Sequence, residues 1–145
     1  MASKSLPTSA FGLEECYFDR AEQHSKLATL LVPGETMWMV LDCKGSGTGF
    51  VGITDKRLLF QDSNWRKTRN VIVSVPLDRV HAVGISDSYS FLGKGSGILS
   101  LQAGDDDWTF EFKNAEKTRI AYLLLMSLVL GRDDNTPDTS NPALQ

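Results

Sequence analysis

The sequence predicts a mainly β domain, a barrel of about seven antiparallel strands that is capped by a C-terminal α-helix and preceded by an extra N-terminal helix. Short apolar runs recur along residues 35–113, and Gly, Pro, Asn and Asp separate them. Such spacing is typical of short strands that are joined by turns. A continuous helical segment follows at residues 115–130, after the last strand. A chain of 145 residues has the length of one domain with short tails.

The N-terminal part of the chain predicts a tail and then a helix. Apolar residues fall at three- and four-residue spacings after the polar start of the chain, which is the periodicity of an amphipathic helix. Pro33 and Gly34 end this pattern. We therefore divide the chain into a disordered tail (1–12), an N-terminal helix (13–31), the barrel domain (32–131) and a disordered acidic tail (132–145).

The segment 50–61 predicts a β-hairpin with its two-residue turn at positions 55–56. Asp55 suits this turn because Asp tolerates the left-handed backbone that tight hairpins require. Slipping the register by one residue would point the apolar side chains outward. The turn position and the alternation of apolar and polar residues therefore predict the same pairing. The predicted cross-strand pairs are Ile53 with Leu58 and Val51 with Phe60.

The other strands follow from the same alternation of apolar and polar residues. The first, at residues 35–42, is expected to place Met37, Met39 and Leu41 on one face. A polar loop is expected at residues 62–70. The remaining strands are expected at 71–75, 80–86, 98–102 and 107–113, the last with Trp108, Phe110 and Phe112 pointing inward.

The final helix is expected to begin after Asn114, a good N-cap, and to end at Gly131. Between residues 120 and 130 only Ser127 is plainly polar. A helix that lies on a barrel needs one apolar stripe, so the outer side of this helix requires a second cover. The N-terminal helix and a second copy of the chain are both candidates. The residues expected at a contact between copies are Tyr122, Leu125, Met126 and Val129.

Several short motifs occur in a fixed order along the chain. They are Pro33-Gly34-Glu35, then Gly52-Ile53-Thr54-Asp55-Lys56-Arg57-Leu58-Leu59-Phe60, then Ser74-Val75-Pro76-Leu77 with Val80, and finally Phe110-Glu111-Phe112. Over about residues 31–130 this order resembles the bacterial pleckstrin-homology (PH) domains. The resemblance implies a seven-stranded, helix-capped barrel and frequent homo-oligomerisation, and it does not imply catalysis, since this fold serves unrelated ligands.

The loop at 62–70 carries three cations and a tryptophan. In PH domains this loop lies at the same open end as the loop at 44–47, and together they resemble a phosphoinositide pocket. The acidic segment 104–107 is expected at that end as well, where its carboxylates would neutralise the cations. Solvated loop charges are therefore the preferred interpretation, and binding of anionic lipid is the alternative. Its ligand residues would be Lys44, Trp65, Arg66, Lys67 and Arg69.

The sequence offers no recognisable catalytic or metal-binding motif. His24 and His81 stand outside any motif, and Cys16 and Cys43 have no Cys-x-x-Cys partner. The consecutive carboxylates at 105–107 lack the alternating spacing of a calcium loop and are interpreted as a polar turn. The two Lys-Gly-Ser-Gly stretches, at 44–47 and 94–97, lack the phosphate-loop pattern and are interpreted as turns. We expect no enzymatic activity and no cofactor.

Bulk composition restricts the partners and the compartment. A formal net charge of -3 gives no overall attraction to nucleic acid, and none is expected as a ligand. Two cysteines, a polar N-terminus and an apolar run too short to span a bilayer favour a cytoplasmic protein. The leading hypothesis is a non-enzymatic PH-like interaction module that binds itself or another protein. Peripheral binding to anionic lipid is the alternative.

Overall fold

The computed structural model describes residues 15–44, 48–65, 68–89 and 95–134. The strands are β1 (Tyr17–Phe18), β2 (Met37–Asp42), β3 (Thr48–Thr54), β4 (Arg57–Trp65), β5 (Thr68–Pro76), β6 (Val80–Tyr89), β7 (Gly95–Ala103) and β8 (Asp106–Phe112). The helices are α1 (Ala21–Ala28) and α2 (Ala115–Asp134), with a single 3₁₀ turn at Leu77–Arg79. The mainly β class with an N-terminal and a C-terminal helix is confirmed.

The strands form two sheets, one with β1 to β5 in sequence order and one with β6, β7 and β8. Within the described residues the sheets do not close into the predicted barrel. A single backbone bond, from Lys44 N to Glu111 O at 2.8 Å, links the end of β2 to β8. Burial holds the layers together instead: Ala121, Leu124 and Leu125 of α2 belong to the same apolar cluster as side chains from both sheets.

The hairpin register predicted from the sequence is confirmed. Ile53 pairs with Leu58 and Val51 pairs with Phe60. All four side chains lie in this central core, at 0–1% exposure. Opposite them, β8 contributes the expected inward aromatic residues, and the rings of Phe60 and Phe110 meet edge to face with centroids 4.9 Å apart.

A smaller second core lies on the outer face of the first sheet, under α1. Leu27 is fully buried there against Met37, Val40, Phe50 and Leu59. Gly52 makes this contact geometrically possible, because a Cβ atom at that position would lie 2.8 Å from Leu27 Cδ1. The N-terminal helix therefore packs on the first sheet of its own domain.

The predicted bounds of the N-terminal helix, residues 13–31, are wrong. The helix is shorter, Ala21–Ala28, and Tyr17 and Phe18 instead pair in parallel with Met39 and Val40 of β2. Sheet pairing with a distant strand overrides a helical periodicity that is only a weak local preference. At the other end, the Thr29 hydroxyl donates to the Lys26 carbonyl at 2.8 Å as the helix ends.

Strand β2 departs from simple alternation at its start. The pairing with β3 shifts between Met37 and Met39, which marks a β-bulge. Met37 consequently lies in the second core, whereas Met39 and Leu41 lie in the central core. The expectation that the three side chains share a face is wrong for Met37.

Two segments expected as turns are strands. Strand β4 continues to Trp65 and β5 begins at Thr68, so the predicted loop at 62–70 is mostly the end of a hairpin. Gly95-Ser96-Gly97, the described part of the second Lys-Gly-Ser-Gly stretch, opens β7. Cross-strand pairing, rather than polar composition, determines that these segments form strands.

Helix α2 starts as predicted and ends later. Asn114 caps it, since Lys117 N donates to Asn114 Oδ1 at 3.0 Å. The predicted end at Gly131 is wrong, because the helix continues to Asp134 and no left-handed cap forms at Gly131. A helix interior tolerates glycine at a cost of about 1 kcal/mol. In the described part of the chain, neither helix is long and apolar enough to cross a membrane.

We expect Gly97→Ala to destabilise the domain by about 1–3 kcal/mol, because it overpacks the contact between β7 and α2. A Cβ atom at position 97 would lie 2.5 Å from Cβ of Thr118, a β-branched residue that is fully buried. Gly84→Ala is the matched control, since its Cβ would meet only Ser100 Cβ, at 3.8 Å. Urea unfolding measures both variants, and equal midpoints for the two would contradict the prediction.

Candidate interaction surfaces

Glu35, Thr54 and Arg57 form a buried network beside the β3–β4 turn. Arg57 donates to both carboxylate oxygens, from Nε to Oε2 at 2.8 Å and from Nη2 to Oε1 at 2.9 Å. The Thr54 hydroxyl donates to Oε2 at 2.6 Å. The Glu35 side chain is 0% exposed and that of Arg57 is 20% exposed. A bidentate pair of this kind is among the stronger charge-assisted contacts in proteins.

The network contacts the β3–β4 turn, the chain after α1 and strand β5. Thr54 Oγ1 accepts from the Arg57 amide at 2.9 Å, which closes the turn. Arg57 Nη2 also donates to the Leu30 carbonyl at 2.7 Å, and Nη1 donates to Ser74 Oγ on β5 at 2.9 Å. Glu35 of the Pro-Gly-Glu motif and Thr54 and Arg57 of the Thr-Asp-Lys-Arg motif are therefore explained by the scaffold, since their polar groups are satisfied within the domain.

The charge state of Glu35 follows from these contacts. Burial by itself would raise the pKa of the carboxyl group. Hydrogen bonds from Arg57, Thr54 and the Val32 amide outweigh burial and lower the pKa to about 2. Glu35 is thus ionised at neutral pH, and its carboxylate oxygens accept hydrogen bonds from within the domain.

A cleft of about 150 Å³ lies between the N-terminal segment and the start of α2. Asp19 is its central group. It accepts from Lys117 Nζ at 2.5 Å, from the Asp42 amide at 2.9 Å and from the Tyr17 hydroxyl at 3.0 Å. The remaining residues that line the cleft are Arg20, Leu41, Asp42, Phe112, Lys113 and Asn114.

The charges in this cleft pair with one another. Burial would raise the pKa of Asp19, but the hydrogen bonds from Lys117, the Asp42 amide and Tyr17 outweigh burial and lower it. Asp42 in turn accepts from Gln23 at 2.7 Å and lies 3.7 Å from Arg20. These contacts use the polar groups to fasten the N-terminal segment to β2 and α2. The contacts in the cleft therefore attach the N-terminal segment to the domain, and they do not form a ligand-binding site.

The four residues predicted for a contact between copies differ in how deeply they are buried. Leu125 is fully buried in the central core, so it has no surface to offer and is removed from the set. Tyr122 and Val129 are half-buried and pack against the same core, and Met126 is half-buried. None of this tests whether copies associate.

Two exposed apolar residues on α2 were missing from the predicted set. Leu123 is 37% exposed and Leu130 is 59% exposed. They are seven residues apart and lie on one face of the helix, with Met126 between them. We call Leu123, Met126 and Leu130 the outer stripe. The sequence hides it because α2 is apolar on nearly every side.

The predicted lipid-binding residues are only partly described. Lys44 is exposed and lies 3.5 Å from Glu111 in a surface ion pair. Trp65 ends β4, and Arg69, paired with Asn64, lies near the start of β5. Because β2, β3 and β4 are successive antiparallel strands, the backbones of these residues lie at the same end of the first sheet. Arg66 and Lys67 lie outside the described residues.

The acidic turn lies at the opposite end of the molecule, so the expectation that it neighbours the basic hairpin is wrong. Gly104, with φ 65°, forms the turn between β7 and β8. Ala103 pairs with Val80, just after the 3₁₀ turn whose Leu77 amide donates to the Lys56 carbonyl at 2.9 Å. Strand β8 then runs from this turn to Glu111 beside Lys44, which separates the carboxylates from the cations.

Comparison with known proteins gives likeness of fold only. No protein-family model matches the chain, and no curated protein matches it. A crystal structure of a pleckstrin homology domain from Shewanella amazonensis is 19% identical with a TM-score of 0.47, and the match covers 73% of this chain and 99% of that chain. A DUF1696 family protein with a pleckstrin-homology domain from Shewanella loihica is 16% identical with a TM-score of 0.49, and that match covers 78% and 92%.

We expect stability to depend on the ionisation of Glu35. A folded-state pKa of about 2, below the usual 4.5, means that this stabilisation is complete above pH 4.5 and is lost as the pH falls through 2. The shift corresponds to a contribution on the order of 3 kcal/mol. Glu35→Gln should lower the free energy of unfolding at pH 7 and should remove this part of its acid dependence.

Chemical unfolding at pH 7, 4.5 and 2.5 measures the effect. Glu116→Gln is the matched control, because the Glu116 side chain is 63% exposed in a surface pair with Arg119. The control should behave like wild type. A Glu35→Gln variant that keeps the acid dependence of wild type would show that another group causes it.

Proposed function

We propose that this chain is a non-catalytic, PH-like interaction module that self-associates through the outer stripe of α2. The observation that carries the proposal is the position of α1. The sequence left two candidates for covering the outer side of α2, which are the N-terminal helix and a second copy of the chain. Leu27 anchors α1 on the first sheet, which supports the second copy as the cover.

The chemistry of the stripe suits a copy of itself. Burying a leucine side chain contributes about 1.5–3 kcal/mol, and a contact between copies buries the stripe of each. The first turns of α2 carry the exposed Glu116–Arg119 pair, at 3.1 Å. The proposed contact is therefore centred after this pair, between Leu123 and Leu130.

The proposed lack of catalysis is supported by the state of the candidate nucleophiles and acids. Burial raises the pKa of Cys16 to about 11 and that of Cys43 to about 12, so both are thiols at neutral pH. A catalytic cysteine requires a lowered pKa. The carboxylates of Glu35 and Asp19 have lowered pKa values and internal partners, which suits neither a general acid nor a general base near pH 7.

We expect Leu123→Lys with Leu130→Lys to lower the mean mass of the protein in light scattering at tens of micromolar. Lysine is a good helix former, so the double change places charge on the stripe and leaves the helix intact. Val32→Lys is the matched control, since Val32 is 50% exposed but lies far from α2 in sequence, before β2. A double variant with the mass of wild type, or a wild type that has the mass of one 16.0 kDa chain, would contradict the proposal.

A second proposed function is binding to an anionic lipid surface through the basic hairpin end. It is favoured by the position of the acidic turn, which leaves the cations without the neutralising carboxylates that the sequence suggested. The pair between Lys44 and Glu111 is surface-exposed, and such pairs contribute at most about 1 kcal/mol. Lys44 therefore stays available to a phosphate group.

Vesicle co-sedimentation with phosphatidylcholine alone and with added phosphatidylserine tests this second function. We expect binding only to the anionic vesicles, and we expect Arg66→Glu with Arg69→Glu to abolish it, because the reversed charges repel the surface. The control is Lys56→Glu with Arg79→Glu, which changes the net charge equally at the opposite end. Equal binding by both double variants would reject the hairpin as the site.

A further inference from the structure

Strand β6 forms a free edge of the second sheet. The order of that sheet is β6-β7-β8, so β6 is hydrogen-bonded to β7 on one side only. Among the described residues, the other side of segment 82–86 has no backbone partner. Its outward N–H and C=O groups form a row that an extended strand can pair with.

The pairing of β6 with β7 shifts between Val80 and Ala82, at the start of the strand, but segment 82–86 lacks the features that usually prevent pairing between molecules. Natural edge strands carry charges, prolines or bulges, or they are very short. Strand β1 has two residues, β5 ends in Pro76, and β8 begins with two aspartates and is bonded to Lys44 at its other end. Segment 82–86 of β6 reads Ala-Val-Gly-Ile-Ser, with no charge and no proline. Pairing this segment with its own copy therefore brings no like charges together.

The apolar layer of the sheet also continues to this edge and ends there uncovered. Val83 pairs with Leu101 and Ile85 pairs with Leu99, so both point to the core face. Leu99 is 0% and Leu101 is 2% exposed, whereas Ile85 is 37% exposed. Ile85 therefore has apolar surface that pairing along β6 would help to cover.

We propose that β6 pairs antiparallel with β6 of a second copy, centred on Gly84, so that the two three-stranded sheets become one of six strands. This register sets Val83 of each copy opposite Ile85 of the other on the core face. Centring on Val83 or on Ile85 would break both of these apolar pairs. On the outer face the register brings together Ala82, Gly84 and Ser86, whose small side chains let the strands approach.

This contact rests on the self-association proposed above and adds a second surface for it. The two contacts can be tested independently of each other. A chain with two separate self-complementary surfaces forms assemblies larger than a dimer. Loss of the α2 stripe should leave dimers held by β6. Loss of the β6 edge should leave the assembly held by α2.

Gly84→Lys tests the β6 edge. A Cβ atom at position 84 meets only Ser100 Cβ, at 3.8 Å, so the sheet accommodates a side chain there. In the proposed register the two lysines face each other across the two-fold axis and repel. Gln102→Lys is the matched control, because Gln102 is exposed on the same face but lies on the interior strand β7. Thermal unfolding by circular dichroism should confirm that both variants fold.

The mass from light scattering then separates the outcomes. We expect Gly84→Lys to lower the mass of wild type and to convert the Leu123→Lys, Leu130→Lys variant from two chains to one, while Gln102→Lys changes neither. If Gly84→Lys leaves the mass unchanged in both backgrounds, the β6 contact is overturned and the α2 proposal is untouched. If the α2 variant keeps the wild-type mass while Gly84→Lys yields single chains, the α2 proposal is overturned and the β6 contact stands.

A cross-link tests the register directly. Residues opposite each other in antiparallel strands have Cα atoms about 4.5–5.5 Å apart, within the range of a disulfide. Gly84→Cys should therefore form a covalent dimer on mild copper-catalysed oxidation, resolved on a non-reducing gel. Gln102→Cys, which carries the same native cysteines, should not. Equal yields from the two variants would overturn the pairing centred on Gly84.

Discussion

The buried pair of Glu35 and Arg57 is the interaction on which the first sheet depends. A carboxylate and a guanidinium are costly to bury unless each satisfies the other, and removing one partner leaves an uncompensated charge. Here the pair is bidentate, and Thr54 and two backbone groups complete it. The β3–β4 turn, the start of β2 and the chain that leaves α1 can therefore adopt only one mutual arrangement without leaving a charge unpaired.

That arrangement determines where the N-terminal segment lies. Arg57 holds the Leu30 carbonyl just after α1, and Lys117 holds Asp19 just before it. Between these two points Leu27 is buried over Gly52. The segment is thus fastened to α2 and β2 at Asp19 and to the first sheet at Leu30, and its apolar anchor, Leu27, packs on the first sheet. This position of α1 supports the proposal that the outer stripe of α2 is a contact between copies.

The parts of this structure that the sequence predicts are those determined by neighbours along the chain. The pairs Ile53–Leu58 and Val51–Phe60 follow from a two-residue turn and an alternation of period two, and Asn114 caps α2 through a contact three residues away.

Partners distant in sequence determine the features that the sequence does not predict. Tyr17 and Phe18 become a strand because β2 lies beside them, and Met37 changes sides because of a bulge in its pairing with β3. Helix α2 is the limiting case: a helix that is apolar on nearly every side has no periodicity to distinguish the buried Leu125 from the exposed Leu123 and Leu130.

The internal pairing of charged side chains in the cleft and in the Glu35 network supports the proposed binding to protein rather than to a small molecule. A ligand pocket presents a few polar groups that lack partners in an apolar cavity. In the described part of this chain, Asp19 pairs with Lys117 and Asp42 with Arg20 in the cleft, and Glu35 pairs with Arg57 in the network. Among the described residues, two buried side-chain atoms, Gln23 Oε1 and Trp38 Nε1, have no hydrogen-bond partner. Exposed apolar side chains lie on α2, and the outer backbone groups of segment 82–86 of β6 have no backbone partner. The outer stripe of α2 and segment 82–86 of β6 are the two surfaces at which we propose self-association, and neither brings like charges together when two copies pair.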